Sequence, residues 1–206
     1  MKSLRALIVT DIQNDFCPGG ALAVPGGDEI VPLVNRLMGG FDLVAATQDW
    51  HPRGHLSFAS SHPGMKPYET IDLDDTEQVL WPDHCVQGTP GADFHKQLDL
   101  APVRLIIRKG TDPRIDSYSA FFENDGKTGT GLEGYFKSLG INDLYLCGLA
   151  TDFCVFYSAM DAAAHGFRTR VILDACRGID VPAGNIGKAI DAMRSKGIEI
   201  IESDGC

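Results

Sequence analysis

The sequence predicts a doubly wound α/β fold, with a mostly parallel six-stranded sheet and helices on both faces. Three observations point there. Short runs rich in Val, Ile and Leu alternate with helical patterns from one end of the chain to the other, as repeated strand–helix units do. Those runs are nearly continuous in hydrophobicity, as in parallel strands covered on both faces. The 206 residues, 44% of them hydrophobic and 22% charged, suffice for one ordinary core. No composition shift, repeat or low-complexity tract marks a second unit, so residues 1–206 are expected to form a single domain.

The elements follow in order. "LRALIVTD" (4–11) reads as a buried strand, "DEIVPLVNRLM" (28–38) as a helix and "FDLVAATQD" (41–49) as the second strand. "VRLIIRKG" (103–110) is the third strand, followed by a helix near 130–139 and the fourth strand "DLYLCG" (143–148). A helix from 151, the strand "RTRVILDAC" (168–176), a helix at 183–196 and the strand "IEIIES" (198–203) complete the pattern. Two segments, 50–95 and 111–128, fit no element. Loops longer than about 12–15 residues usually serve a function or are disordered. The first is dense in His, Trp, Pro and Gly, so it reads as an ordered insertion that builds a site.

Composition excludes several roles. A net charge of −10 with no basic stripe argues against a nucleic-acid partner. No segment approaches the roughly 18 apolar residues of a membrane span, and "MKSLRALIVTDIQNDF" has no signal-peptide cleavage site. The expectation is a cytoplasmic protein. Cysteines 17, 85, 147, 154, 176 and 206 are scattered without a CxxC pair, which predicts free thiols, not a disulfide framework. Homo-oligomerisation is compatible with the apolar content, but no stretch identifies an interface.

In an open α/β sheet, ligands bind beyond the carboxyl ends of the strands. Asp11, Asp49, Lys109 and the 149–154 loop stand at four such ends. Taken singly, Asp11 could be a turn cap and Lys109 a solvated side chain. Together they place a carboxylate and an ammonium on one rim, each favouring the other's charge. "GLATDFC" (148–154) leaves a strand and enters a helix, with Thr151 as the expected N-cap and Cys154 at N3. Free N–H groups and the positive helix end would stabilise a thiolate there and an oxyanion beside it. "QDWHPRGHLSF" offers Asp49, His51 and His55, and "WPDHC" adds His84. Imidazole with carboxylate suits Zn²⁺, Fe²⁺ or Mn²⁺.

These blocks resemble a known family. "DIQNDFCPGGALAVPGG" (11–27), "TQDWHPRGHLSFAS" (47–60), "WPDHCVQGTPGADFH" (81–95), "RKG" (108–110), "DSYSAF" (116–121) and "GLATDFCV" (148–155) are similar, in order, to the nicotinamidases among the isochorismatase-like cysteine hydrolases. The resemblance implies a catalytic triad of Asp11, Lys109 and Cys154. It also implies one divalent metal, zinc before iron or manganese, on Asp49, His51 and His84. His55 falls where some members supply a further ligand and others do not. Phe16, Trp81 and Tyr118 fall on the aromatic walls of the family's pyridine pocket. Ala150 and Cys154 would supply the oxyanion-hole amides, with a cis bond between Leu149 and Ala150. The implied reaction is hydrolysis of nicotinamide to nicotinate and ammonia, a step of NAD salvage, with pyrazinamide as a further substrate. Three rivals remain at this stage: a metal-free hydrolase of ureido amides, an isochorismatase, and a redox-sensing thiol protein in which Cys85 joins Cys154.

Overall fold

The computed structural model describes residues 4–73 and 76–206. Six strands form one parallel sheet: β1 (Arg5–Thr10), β2 (Leu43–Asp49), β5 (Val103–Lys109), β6 (Asp143–Leu149), β7 (Arg168–Arg177) and β8 (Glu199–Ile201). Their spatial order is β5-β2-β1-β6-β7-β8. The chain builds outward from β1 in one direction and from β6 in the other, so the sheet reverses its winding between these two central strands. Such a switch point opens a crevice beyond the strand ends.

Four helices connect the strands: α1 (Val31–Met38), α2 (Leu132–Ser138), α3 (Cys154–Ala164) and α4 (Asn185–Ser195). Each is short and buries one stripe. In α1 the buried positions are Val31, Val34 and Met38, and Gly39 and Gly40 follow the last turn. In α3 they are Cys154, Val155, Ser158, Ala159 and Ala162. The small residues of that stripe let the helix lie close on β6 and β7.

Register places the functional ends level. Asp49 pairs with Lys109 across β2 and β5, and Thr10 pairs with Gly148 across β1 and β6. Gly148 has φ +116°, and a Cβ there would stand 2.1 Å from the Thr10 carbonyl oxygen. Only glycine allows β6 to pass that close to β1 just before the 149–154 turn.

The fold differs from expectation in three places. The strand β5 is not covered on both faces: Arg104, Ile106 and Arg108 are exposed, and Val103, Leu105 and Ile107 are half-buried. As an edge strand it has a neighbour on one side only, and it carries the charged side chains that discourage further pairing. Arg108 lies 3.9 Å over the Trp50 ring, shielding part of the apolar edge. Second, segment 50–95 contains a hairpin of its own, β3 (Thr70–Leu73) and β4 (Thr76–Val79), which no run in the sequence signalled. Third, α3 begins at Cys154, not Thr151. Thr151 N–H donates to Arg177 O at 2.9 Å and so still follows the sheet, while Phe153 and Val155 N–H both turn back to Ala150 O at 3.1 Å. Phe153 is the N-cap, and Cys154 opens the first turn.

Candidate active site

Lys109 is the hub of the strand ends. Its ammonium lies 3.0 Å from Asp11 Oδ2 and 2.9 Å from Asp49 Oδ1, and it donates to Ser117 O at 3.0 Å and Cys154 Sγ at 3.5 Å. Lysine, both carboxylates and the thiol are all buried. Asp11 stands directly after β1 with φ +46°, a left-handed conformation that aspartate tolerates better than most residues. This turn lets the Thr47 hydroxyl donate to Asp11 Oδ1 at 2.6 Å while the Asp11 N–H donates to Thr47 Oγ1 at 3.2 Å.

Burial raises the pKa of Asp11, and Lys109 only partly offsets it. Burial works against the charge of Lys109, but the Asp11 and Asp49 carboxylates outweigh it and hold its pKa well above the ordinary lysine value. For Asp49 burial is likewise outweighed, here by His51 and Lys109, so its pKa lies well below the usual carboxylate range. Burial pushes the Cys154 thiol well above its ordinary value, with Lys109 as the group pulling it back. The cluster therefore holds a fixed cation beside a weakly acidic thiol and a carboxyl of raised basicity, a set suited to moving one proton.

Asp49 also faces a second group. Its Oδ2 lies 2.9 Å from His51 Nε2 and 3.2 Å from His84 Nε2. His51 Nδ1 meets Gly110 O at 3.0 Å, and His84 Nδ1 meets Pro82 O at 2.8 Å. A carbonyl oxygen only accepts, so each ring spends its N–H on backbone. Neutral rings held this way would turn both Nε2 lone pairs toward the carboxylate oxygen, an arrangement that a cation between the three satisfies. Without a cation, a proton on His51 fills the same place, since Asp49 outweighs burial and raises the His51 pKa. Three ligands of this kind, each imidazole oriented by a backbone acceptor, suit a divalent metal with positions left open. Gly110 has φ +65°, and a Cβ there would meet the His51 ring at 2.4 Å, so this corner admits no side chain.

His55 does not join that convergence. Its Nε2 donates to Asp112 O and Ile115 O at 3.0 and 3.1 Å, which leaves Nδ1 to accept from the Ser57 hydroxyl at 2.8 Å. Both nitrogens are committed, and the ring ties the segment after β2 to the one after β5.

A small cavity opens between the thiol and the three ligands. Phe16, Trp81 and Tyr118, together with Phe153, form its aromatic lining. Trp81 Nε1 donates to Tyr118 Oη at 3.0 Å, and the Phe153 ring meets the Trp81 ring edge-on at 4.9 Å. Ala150 and Cys154 lie on the same wall, and the Leu149–Ala150 peptide is cis.

Several supporting residues went unnoticed in the sequence. Gln13 clamps the backbone of Asp49, donating to its O and accepting from its N–H, both at 2.8 Å. Asp15 accepts from Cys85 N–H at 2.7 Å and Ala21 N–H at 3.1 Å, holding the His84 segment. Asp152, in the turn before Cys154, accepts from Ile179 and Asp180 N–H at 2.9 Å. For Gln13 and Asp15 the available signal was the run of four polar residues close behind a buried strand in "DIQNDF". All six cysteines are free, as expected.

A doubly wound sheet with a buried thiol at its switch point and an adjoining candidate metal site is the arrangement expected of an isochorismatase-like hydrolase. The chain belongs to the isochorismatase family: the Isochorismatase domain matches residues 5–204. It is 52% identical to a nicotinamidase of Acinetobacter baylyi, over 96% of this chain and 92% of that protein. A solved nicotinamidase pyrazinamidase of Acinetobacter baumanii superposes with a TM-score of 0.97 at 52% identity, covering 100% of this chain and 99% of the other. The pyrazinamidase of Pyrococcus horikoshii, solved in complex with zinc, superposes with a TM-score of 0.79 at 40% identity, covering 96% of this chain and 98% of the other.

Proposed function

We propose that the protein is a nicotinamidase: it hydrolyses nicotinamide to nicotinate and ammonia, and accepts pyrazinamide, through a thioester on Cys154. The observation that carries this reading is the position of Lys109, in contact with Asp11 and Cys154 on one side and with the metal-ligand carboxylate Asp49 on the other. Relatives named nicotinamidase over nearly the full chain support the substrate. The chain acts as one unit, with segment 50–95 building the metal and substrate side.

Asp49, His51 and His84 would hold the divalent ion, with zinc favoured by the nitrogen-rich ligand set and by the zinc complex of the relative. When bound, it offers an electrophilic anchor for the ring nitrogen of the substrate. The chain's own groups do the rest. Phe16, Trp81 and Tyr118 exclude water around the ring. Asp11 takes the thiol proton while Lys109 stabilises the ionised pair, and the sulfur forms a bond to the carboxamide carbon. The oxyanion accepts from the amides of Ala150 and Cys154 at the first turn of α3, where the helix dipole favours negative charge. Collapse breaks the C–N bond, and Asp11 returns the proton to the departing ammonia. Asp11 then deprotonates the water that cleaves the thioester and gives that proton back to sulfur.

Ammonia release from nicotinamide, measured with and without a chelator, tests the proposal. Release that is fast with the metal-loaded protein, and absent for benzamide, is expected. Equal rates on benzamide would remove the metal from substrate recognition, and no release from either amide would reject the activity.

A further inference from the structure

Asp116 is a buried carboxylate whose charge nothing described so far explains. It is 3% exposed and lines the same cavity as Asp49, His51 and His84. Its Oδ1 accepts from Ser117 N–H at 2.8 Å and its Oδ2 from Gln78 Nε2 at 2.7 Å. Both donors are neutral, and among the described residues no lysine or arginine pairs with it. Asp11 and Asp49 differ, since each has Lys109 as its counter-charge. A buried charge is normally paired or set against a metal. A carboxylate offers about four acceptor positions, of which two are filled here.

Its neighbours point the same way. A carboxylate oxygen of Asp116 and one ring nitrogen each of His51 and His55 lie within 4.8 Å of one another. His51 is a ligand of the cation site. His55, with both nitrogens spent, grips the carbonyls of Asp112 and Ile115 immediately before Asp116. We propose that Asp116 is the outer carboxylate of the metal centre, accepting a hydrogen bond from a water bound to the ion, and that His55 positions it without being a ligand. The proposal rests on the metal-dependent reading above, and assigns to Asp116 part of the affinity for the ion.

The test is the Zn²⁺ affinity of metal-free full-length protein, read by competition with a chromogenic chelator. Loss of an outer hydrogen-bonding partner typically costs 10–100-fold in metal affinity, so Asp116→Asn is expected to bind Zn²⁺ about tenfold more weakly, with an unchanged metal-free melting temperature. A loss smaller than threefold overturns the proposal. Should Asp116→Asn fail to fold, Asp116→Ser retains an acceptor for the Ser117 amide and carries the same expectation. His55→Gln should lose less affinity than Asp116→Asn; a larger loss would make His55 the ligand and overturn the assignment. Wild-type protein that binds Zn²⁺ but releases no ammonia would defeat the functional reading alone. An active amidase whose Asp116→Asn form keeps wild-type affinity would defeat only this proposal.

Discussion

The two halves of the site are built on different principles. Asp11 and Lys109 stand at or just beyond strand ends, where parallel pairing sets their spacing, and Cys154 follows β6 by one short turn at the start of α3. Their charges are answered within the protein by one buried ammonium. His51, His84 and Asp116 stand on long connections, positioned by backbone carbonyls and by side chains such as Gln13, Asp15 and His55. That half gathers a carboxylate and two imidazoles that could hold a metal ion. Asp49 joins them, giving one oxygen to Lys109 and the other to the two histidines. On the proposed reading, the half that would supply the nucleophile rests on the strand ends and one turn, and the half that would select substrate rests on loops plus a metal.

Perturbing each half in turn separates them. The largest effect is expected for Cys154→Ala, which should lower kcat by roughly 10⁴-fold or more while Zn²⁺ affinity stays at the wild-type value; parallel turnover and binding assays check this. Retained amide hydrolysis would place the nucleophile elsewhere. Lys109→Met leaves Asp11 and Asp49 buried without their shared cation, and the cost of breaking a buried pair, about 3–5 kcal/mol, should appear in chemical denaturation as well as in lost activity. A change below 1 kcal/mol would mean that the carboxylates do not depend on it.

Smaller effects fall at the boundary. Gly110→Ala meets both an unfavourable φ and the His51 ring. It should destabilise by about 1–3 kcal/mol and weaken Zn²⁺ binding, while thiol alkylation of Cys154 proceeds at the wild-type rate. The smallest expected effect is a shift in pH dependence. Asp11 must be ionised to accept the thiol proton, and burial already raises its pKa, so activity falls as pH drops through that raised value. The Thr47 hydroxyl lowers the Asp11 pKa by hydrogen bonding to the carboxylate. In Thr47→Val the acid limb of kcat/KM should therefore move to higher pH. An unmoved limb, or one displaced to lower pH, would remove Asp11 as the base.

Residues on the strand ends could be located from the chain alone because the argument needed only the order of strands and the rule that ligands gather beyond their carboxyl ends. Asp49 and His51 are close in sequence, so their D-x-H spacing was visible; His84, more than thirty positions on, could be offered as a candidate from its residue type, and only the resemblance selected it over His55. Cys154 was expected at the third position of its helix and stands at the first, because whether Thr151 caps the helix or continues the sheet depends on Arg177, a partner from β7. His55 was open between ligand and bystander. Its role depended on which carbonyls a distant loop brought to it.

The amino-acid order by itself determined the alternation of strands and helices, the acidic balance of the composition, and the identity of the groups able to do chemistry, since these follow from local hydrophobic pattern and functional-group type. Tertiary structure alone decided which acceptors face one another, which carboxylate lacks a cation, and which imidazole has a free nitrogen. Those are properties of pairs far apart in the chain, such as Asp11 and Lys109, and hydrogen-bond satisfaction in a buried site has no counterpart in a one-dimensional pattern.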